Sequence, residues 1–250
     1  MSIAVDEVTA AVLVIGDEIL SGRTKDRNVG YIADYLTAIG VDVREVRMVP
    51  DVEEEIVGAV NALRARYTYV FTTGGIGPTH DDITADSVAK AFGVAIDVDP
   101  RARAMLLEHI KPEDLNEARL RMARIPAGAE LVRNPVSKAP GFWIGNVIVM
   151  AGVPAIMQAM LDQVAPQLRT GVRMLSETIR ADAREGDVGG PLAAIAAANP
   201  QVSIGSYPFM ADDGRPNTNL VVRGRDPDRV AAALAQVRAM VEALRGPGER

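Results

Sequence analysis

The sequence predicts an α/β fold, a mostly parallel sheet with helices on both faces, followed by a small α+β module. Three observations predict it. Ala10 to Ile15 is an unbroken apolar run rich in β-branched residues and stopped by Gly16, the pattern of a strand buried on both faces. Apolar residues at helical spacing, Ile32, Tyr35, Leu36 and Ile39, then lead to Gly40, which suits a helix C-cap. The strand, loop and helix cycle repeats further along, and repeated β-loop-α units imply parallel strands joined by crossover helices.

The elements follow in order. Between the first strand and its helix, which starts at Val29, lies a polar loop from Gly16 to Asn28. Val41 to Val49 is a second strand, stopped by Pro50, and Asp51 is placed either to cap the next helix, whose first turn is Glu53, Glu54 and Glu55, or to serve a site. Tyr67 to Thr73 is a third strand, delivering the chain into a glycine-rich loop and a helix from about Ala85 to Phe92 that ends at Gly93. Pro100 to Ala123 reads as one or two helices, Glu130 to Val132 and Phe142 to Met150 as strands, and Pro154 to Leu168 as a helix begun by proline. A first domain of residues 8–169 closes there. The remaining residues, 170–246, read as strand Met174 to Ile179, helix Val188 to Ala198, strands Gln201 to Ser206 and Leu220 to Arg223, and helix Asp228 to Leu244, with Gly246 to Arg250 a frayed tail.

Composition removes several classes of function. Among 250 residues, 27 Lys plus Arg stand against 33 Asp plus Glu, a net charge of −6 that disfavours a nucleic-acid partner. With no cysteine, and only His80 and His109 as imidazoles, neither a thiolate site nor a histidine-rich zinc site can form, so any metal sits on oxygen ligands. The amino-terminal segment carries Asp6 and Glu7 and no basic residue before its apolar run, and no apolar stretch reaches the roughly 20 residues of a membrane span, so no membrane partner and a cytoplasmic address are expected.

The sharpest motif is Thr72-Thr-Gly-Gly-Ile-Gly-Pro-Thr-His-Asp-Asp-Ile-Thr84, because it joins a buried strand to a helix start, where open α/β sheets bind ligands. Gly74, Gly75 and Gly77 let backbone N–H groups approach an anion, and the helix terminus adds positive potential, so a phosphate is the natural guest. Asp81 and Asp82 directly after them would repel that guest unless a divalent cation intervened; one of them could instead simply cap the helix. The loop after the first strand opens at the same edge and supplies Asp17, Glu18, Ser21, Asp26 and Asn28. A third segment, Asn134 to Trp143, is fixed by two prolines and Gly141, with Lys138 able to meet an anion, and Gly152-Val-Pro154 is a further strand-to-helix turn. Arg119, Arg121 and Arg124 read as a solvated helix face, and Met157 and Met160 as core.

These motifs resemble one family throughout. Gly16-Asp-Glu-Ile-Leu-Ser-Gly22 with Asp26 and Asn28, Thr73-Gly-Gly-Ile-Gly-Pro-Thr79 with Asp81, Asp82 and Thr84, Asn134 with Ala139-Pro-Gly141, and Gly152-Val-Pro154 are similar in order and spacing to the molybdopterin-binding domain of the CinA (competence/damage-inducible protein A) family. That domain lies within the MoaB/MogA fold group, with the amino-terminal domain of eukaryotic FAD synthases among its relatives. Val202-Ser-Ile-Gly-Ser-Tyr-Pro208 resembles the small second module of the same family.

The resemblance implies a three-layer α/β/α MogA-like domain that binds a phosphorylated pterin or a dinucleotide. It implies metal-assisted chemistry at Asp51 and Asp82, with Asp82 and Asp81 holding Mg, Mn or Co, and pyrophosphatase activity on ADP-ribose or FAD. The implied ligand contacts are Gly16, Asp17, Glu18, Ser21, Asp26 and Asn28; Thr73, Gly74, Gly75, Gly77, Pro78, Thr79 and Thr84; Asn134, Lys138, Ala139, Pro140 and Gly141; and Gly152 and Pro154. A homo-oligomer is implied, and the nicotinamide-mononucleotide deamidase domain of longer family members is expected to be absent. The chain departs from the pattern in having Ser137-Lys138 where the family has Gly-Thr, and Met150-Ala151 where it has Leu-Pro. Two other functions fit the same residues: molybdopterin binding or adenylylation in cofactor assembly, and a non-catalytic or RNA-binding module in which Gly186-Asp-Val-Gly189 is the clamp loop of a KH-like domain.

Overall fold

The computed structural model describes residues 7–245; Met1 to Asp6 and the expected tail, Gly246 to Arg250, lie outside the described residues. The chain divides into two units, Met1–Gly171 and Val172–Arg250.

The first unit contains strands β1 (Val8–Ile15), β2 (Val41–Val49), β3 (Tyr69–Thr73), β4 (Ile96–Val98), β5 (Arg124–Pro126), β6 (Glu130–Val132), β7 (Gly141–Ile144) and β8 (Val147–Met150). Its helices are α1 (Asp17–Leu20), α2 (Asn28–Ala38), α3 (Glu53–Arg64), α4 (Thr84–Phe92), α5 (Pro100–Leu107), α6 (Glu117–Leu120) and α7 (Pro154–Val164). The main sheet has the order β2-β1-β3-β8-β7-β6. Its first four strands run parallel, and β7 and β6 extend it antiparallel. Strand β1 explains the layering, because successive side chains leave a strand on opposite faces. Val8, Ala10, Val12 and Val14 join a core with Ile32 and Leu36 of α2 and Met157, Met160 and Leu161 of α7. Ala11, Leu13 and Ile15 join another with Ile56 and Leu63 of α3, Val88 of α4 and Leu106 of α5. Helices thus cover both faces of a mostly parallel sheet. The strand order reverses between β1 and β3, which puts the crevice of an open α/β sheet at their carboxyl ends.

Several expectations are corrected here. Ile96–Val98 and Arg124–Pro126 pair as an antiparallel ribbon that the sequence did not announce, three residues per strand being too few to show a period. The intervening stretch breaks into α5, α6 and two 3-10 turns at Pro112–Asp114 and Arg121–Ala123. Asp51 does not cap α3, whose N-cap is Val52 without a side-chain bond. Neither Asp81 nor Asp82 caps α4, where Ile83 holds the N-cap, again without a side-chain bond.

The second unit runs β9 (Leu175–Arg180), α8 (Glu185–Ala198), β10 (Ser203–Met210), β11 (Pro216–Gly224) and α9 (Pro227–Arg245). Its antiparallel sheet, in the order β10-β11-β9, encloses a separate core of Ile179, Val188, Leu192, Leu220, Val222 and Val237. Gly186 to Gly189, which the RNA-binding alternative needs as a clamp loop, lies inside the first turns of α8. Neither glycine takes a positive φ, and Glu185 and Asp187 favour a helix N-terminus, so the segment forms helix rather than a nucleic-acid loop.

Candidate functional site

Four loops leave the carboxyl ends of parallel strands and meet. Gly74, with φ +101°, lies so close to β1 that a Cβ there would sit 2.1 Å from the Ile15 carbonyl oxygen. On its other side a Cβ on Gly152 would lie 3.2 Å from the Gly74 Cα, and the Gly74 N–H donates to Met150 O at 3.2 Å. Asn28 Nδ2 donates to Gly152 O at 2.7 Å, tying the start of α2 to the turn after β8. Gly75, with φ +66°, leaves no room for a side chain above Thr84. Thr84 is fully buried, its Oγ1 donating to Gly74 O and its N–H to Gly75 O, each at 3.0 Å. The structure therefore places Thr84 under the glycine turn as its support, where the resemblance implied a ligand contact.

The carboxylates divide into two groups. Asp51 accepts from the Asp17 backbone N–H at 2.9 Å, bridging the loops after β1 and β2. Its pKa is raised first by burial and then by the charges of Asp17, Glu18 and Asp81, with the Asp17 N–H opposing. Asp81 is held below the usual carboxylate value by hydrogen bonding from Thr79, then from its own backbone N–H, with His80 adding a little. Asp82 turns the other way. Its Oδ2 accepts from both the N–H (2.8 Å) and the hydroxyl of Thr79, and would meet any side chain on Gly77. All these donors are oxygens, as a hard divalent cation requires, and a cation among them would relieve the repulsion felt by Asp51. Among the described residues no three carboxylates or imidazoles stand together as a finished ligand set.

Two cavities flank the glycine turn. The one beside β1 is bordered by Glu18, Asp26, Asn28, Thr73, Gly74, Gly152 and Pro154, all expected at the site, and by Lys25 and Arg27, which sequence reasoning left out. Asn28 is 5 % exposed and its Oδ1 is buried without a hydrogen-bond partner. Asp26 also accepts from the N–H groups of Asn28 and Val29, holding the start of α2. The opposite cavity is bordered by Gly75, Gly77, Asp82 and Pro140 together with Arg121 and Arg124. The two arginines are half-buried beside the glycine loop, correcting their reading as a solvated helix face.

Other expected residues serve the scaffold. Asn134 is buried and ties its own loop, donating to Ala139 O (2.9 Å) and Ser137 Oγ while accepting from the N–H groups of Val136 and Ser137. Lys138 pairs with Glu108 at 3.2 Å, Gly141 is buried where β7 meets β8, and Ser21 accepts from Arg23. A Cβ on Gly16 would collide with the Glu18 carboxylate. Pro78 borders a separate cleft with His80.

The comparisons with known proteins identify the family. Residues 11–170 match the family model described as "Probable molybdopterin binding domain", and residues 173–245 match "FAD synthase, middle domain". A protein of Archaeoglobus fulgidus is 33% identical over 226 residues, covering 90% of this chain and 94% of that protein. A CinA-like protein of Citrifermentans bemidjiense is 39% identical over 169 residues, 63% of this chain but 40% of that longer protein. The crystal structure of CinA from Thermoplasma acidophilum, described as of unknown function, is 37% identical, covers 64% of this chain and 96% of its own, and superposes with a TM-score of 0.61. Among the described residues no helix is long and apolar enough to cross a membrane. The chain belongs to the family described as "Probable molybdopterin binding domain", of which residues 11–170 form a domain of the CinA type.

Proposed function

We propose that the first unit hydrolyses the pyrophosphate bond of a dinucleotide such as ADP-ribose or FAD, with a divalent cation, Mg, Mn or Co, held by Asp51 and Asp81. The observation that carries this reading is the juxtaposition of a glycine turn with the part-buried Asp51 carboxyl and its acidic neighbours at the switch point of the sheet. When bound, the cation would withdraw charge from a phosphoryl oxygen.

The chain's own residues divide the remaining work. The N–H groups of Gly75, Ile76 and Gly77 cradle the pyrophosphate, those of Gly74 and Thr84 being used within the turn. Asp51, part-buried with its pKa raised above the usual carboxylate value, takes the proton of the attacking water as the new P–O bond forms and the bridging P–O bond breaks, the bridge oxygen leaving on the second phosphate. Asp82 fixes the loop through Thr79, a positioning role that differs from the metal-holding one implied by resemblance. The second reading, molybdopterin binding or adenylylation, draws support from the family and from the unpaired, buried Asn28 Oδ1, an acceptor suited to the amine of a pterin. Release of a nucleoside monophosphate from a dinucleotide panel with each metal tests the choice: turnover without any pterin supports the hydrolase, and molybdopterin binding with no turnover replaces it.

A further inference from the structure

We infer that the cleft between the glycine loop and the β4–β5 ribbon is a subsite for a nucleoside monophosphate moiety, with Arg121 and Arg124 taking its phosphate. It rests on the preceding reading for a phosphate at the glycine loop, and not for hydrolysis.

Three observations carry it. Arg121 and Arg124 border both the cavity beneath Gly75 and Gly77 and a wider cleft of about 740 Å³, so an anion at the glycines and a group in the cleft share the same two guanidinium groups. That volume is within the range of small-molecule pockets. Second, both arginines are fixed but incompletely paired. Arg121 donates from one terminal nitrogen to Asp82 O at 3.4 Å, and Arg124 from one to Asp86 Oδ1 at 2.5 Å, while both Nε atoms are buried with no acceptor. The buried Nε atoms show that both guanidinium groups are held in place, and each keeps a second terminal nitrogen with which it would meet a phosphate oxygen at the cavity. Third, the cleft changes character away from the arginines. Pro78, Ile96, Val98 and Leu120 give it apolar surface, and Asp97 and Glu117 give it acceptors for ribose hydroxyls and an exocyclic amine. Cations at one end, apolar walls and acceptors at the other match a nucleoside phosphate better than a bare anion. With the β1-side cavity across the glycine turn, the arrangement suits a ligand of two halves joined at a pyrophosphate.

The test is calorimetric titration of the full chain, without added metal, with AMP, inorganic phosphate and adenosine. The expected result is that AMP binds more tightly than either fragment, and that Arg121→Gln and Arg124→Gln each weaken it by about tenfold or more, as loss of a charge-assisted contact should. Thermal unfolding confirms that each variant is folded. Because Arg124 also pairs with Asp86, Arg121→Lys is the second variant: it keeps the charge, loses the planar fork and should weaken AMP to a lesser degree than Gln. Equal AMP affinity in wild type and folded variants overturns the subsite, as does absence of AMP binding. Phosphate binding as tightly as AMP overturns its nucleoside part. If dinucleotides are never hydrolysed but arginine-dependent AMP binding persists, the subsite stands and the hydrolase reading falls.

Discussion

Asp51, the base of the proposed reaction, is destabilising, because its carboxylate is part-buried near the charges of Asp17, Glu18 and Asp81. The sign follows from linkage: an acid whose folded pKa is raised costs stability once ionised, the cost growing as pH rises from the unfolded value, about 3.9, through the folded one. Asp51→Asn keeps an acceptor for the Asp17 N–H and removes the charge. It should abolish turnover while raising the thermal midpoint at neutral pH, a gain that fades below about pH 4; a pH series of melting curves reads both limits. Gly74 carries the opposite constraint. Gly74→Ala must take a positive φ with its Cβ against the Ile15 carbonyl, so urea unfolding should show a loss of about 3 kcal/mol or more.

At the scale of elements, some helix signals were legible and others misled. Asp99 followed by Pro100 is a start signal the structure uses: the Asp99 side chain accepts from the N–H of Arg101 (2.7 Å) and of Ala102 (3.4 Å). The Arg101 guanidinium, then these N–H groups, hold its pKa below the usual value, so its support of α5 is present above the unfolded pKa and is lost as pH falls through the folded one. Asp99→Ala should cost about 1 kcal/mol at neutral pH and nothing at strongly acid pH, measured by urea unfolding. Asp51 shows the reverse case, since an aspartate two residues before a Glu-rich turn looks like a cap, and only the approach of the β1 loop redirects it. In α8, Gly186 and Gly189 fit a loop motif by spacing, yet both lie in the helix, where an added Cβ would meet nothing within 4 Å. Replacing either by Ala should stabilise the second unit by about 0.5–1 kcal/mol, read from its unfolding transition.

Across the whole molecule, the parallel sheet and its helices were readable because buried strands and amphipathic helices have strong periods, as β1 and its two cores show. The β4–β5 ribbon was not, because each strand is three residues long and is specified by tertiary pairing. The same ribbon borders the cleft that holds Arg121 and Arg124, so their place beside the glycine loop could not be read from local sequence either. The converging turns were legible as motifs, whereas the hydrogen bonds of Thr79 to Asp82 depend on how the loop folds back and were not. The second unit has its own core, so residues 172–245 expressed alone should fold, giving a cooperative melt and a mixed α/β circular dichroism spectrum. The central claim is that an acidic group built around Asp51 drives pyrophosphate hydrolysis at the glycine turn. Its most direct test is metal-dependent hydrolysis of ADP-ribose, FAD and NAD by wild type, Asp51→Asn and Asp82→Ala. The account predicts turnover with Mg, Mn or Co, lost in Asp51→Asn and reduced but measurable in Asp82→Ala; undiminished turnover in Asp51→Asn, or none in wild type with any metal, would contradict it.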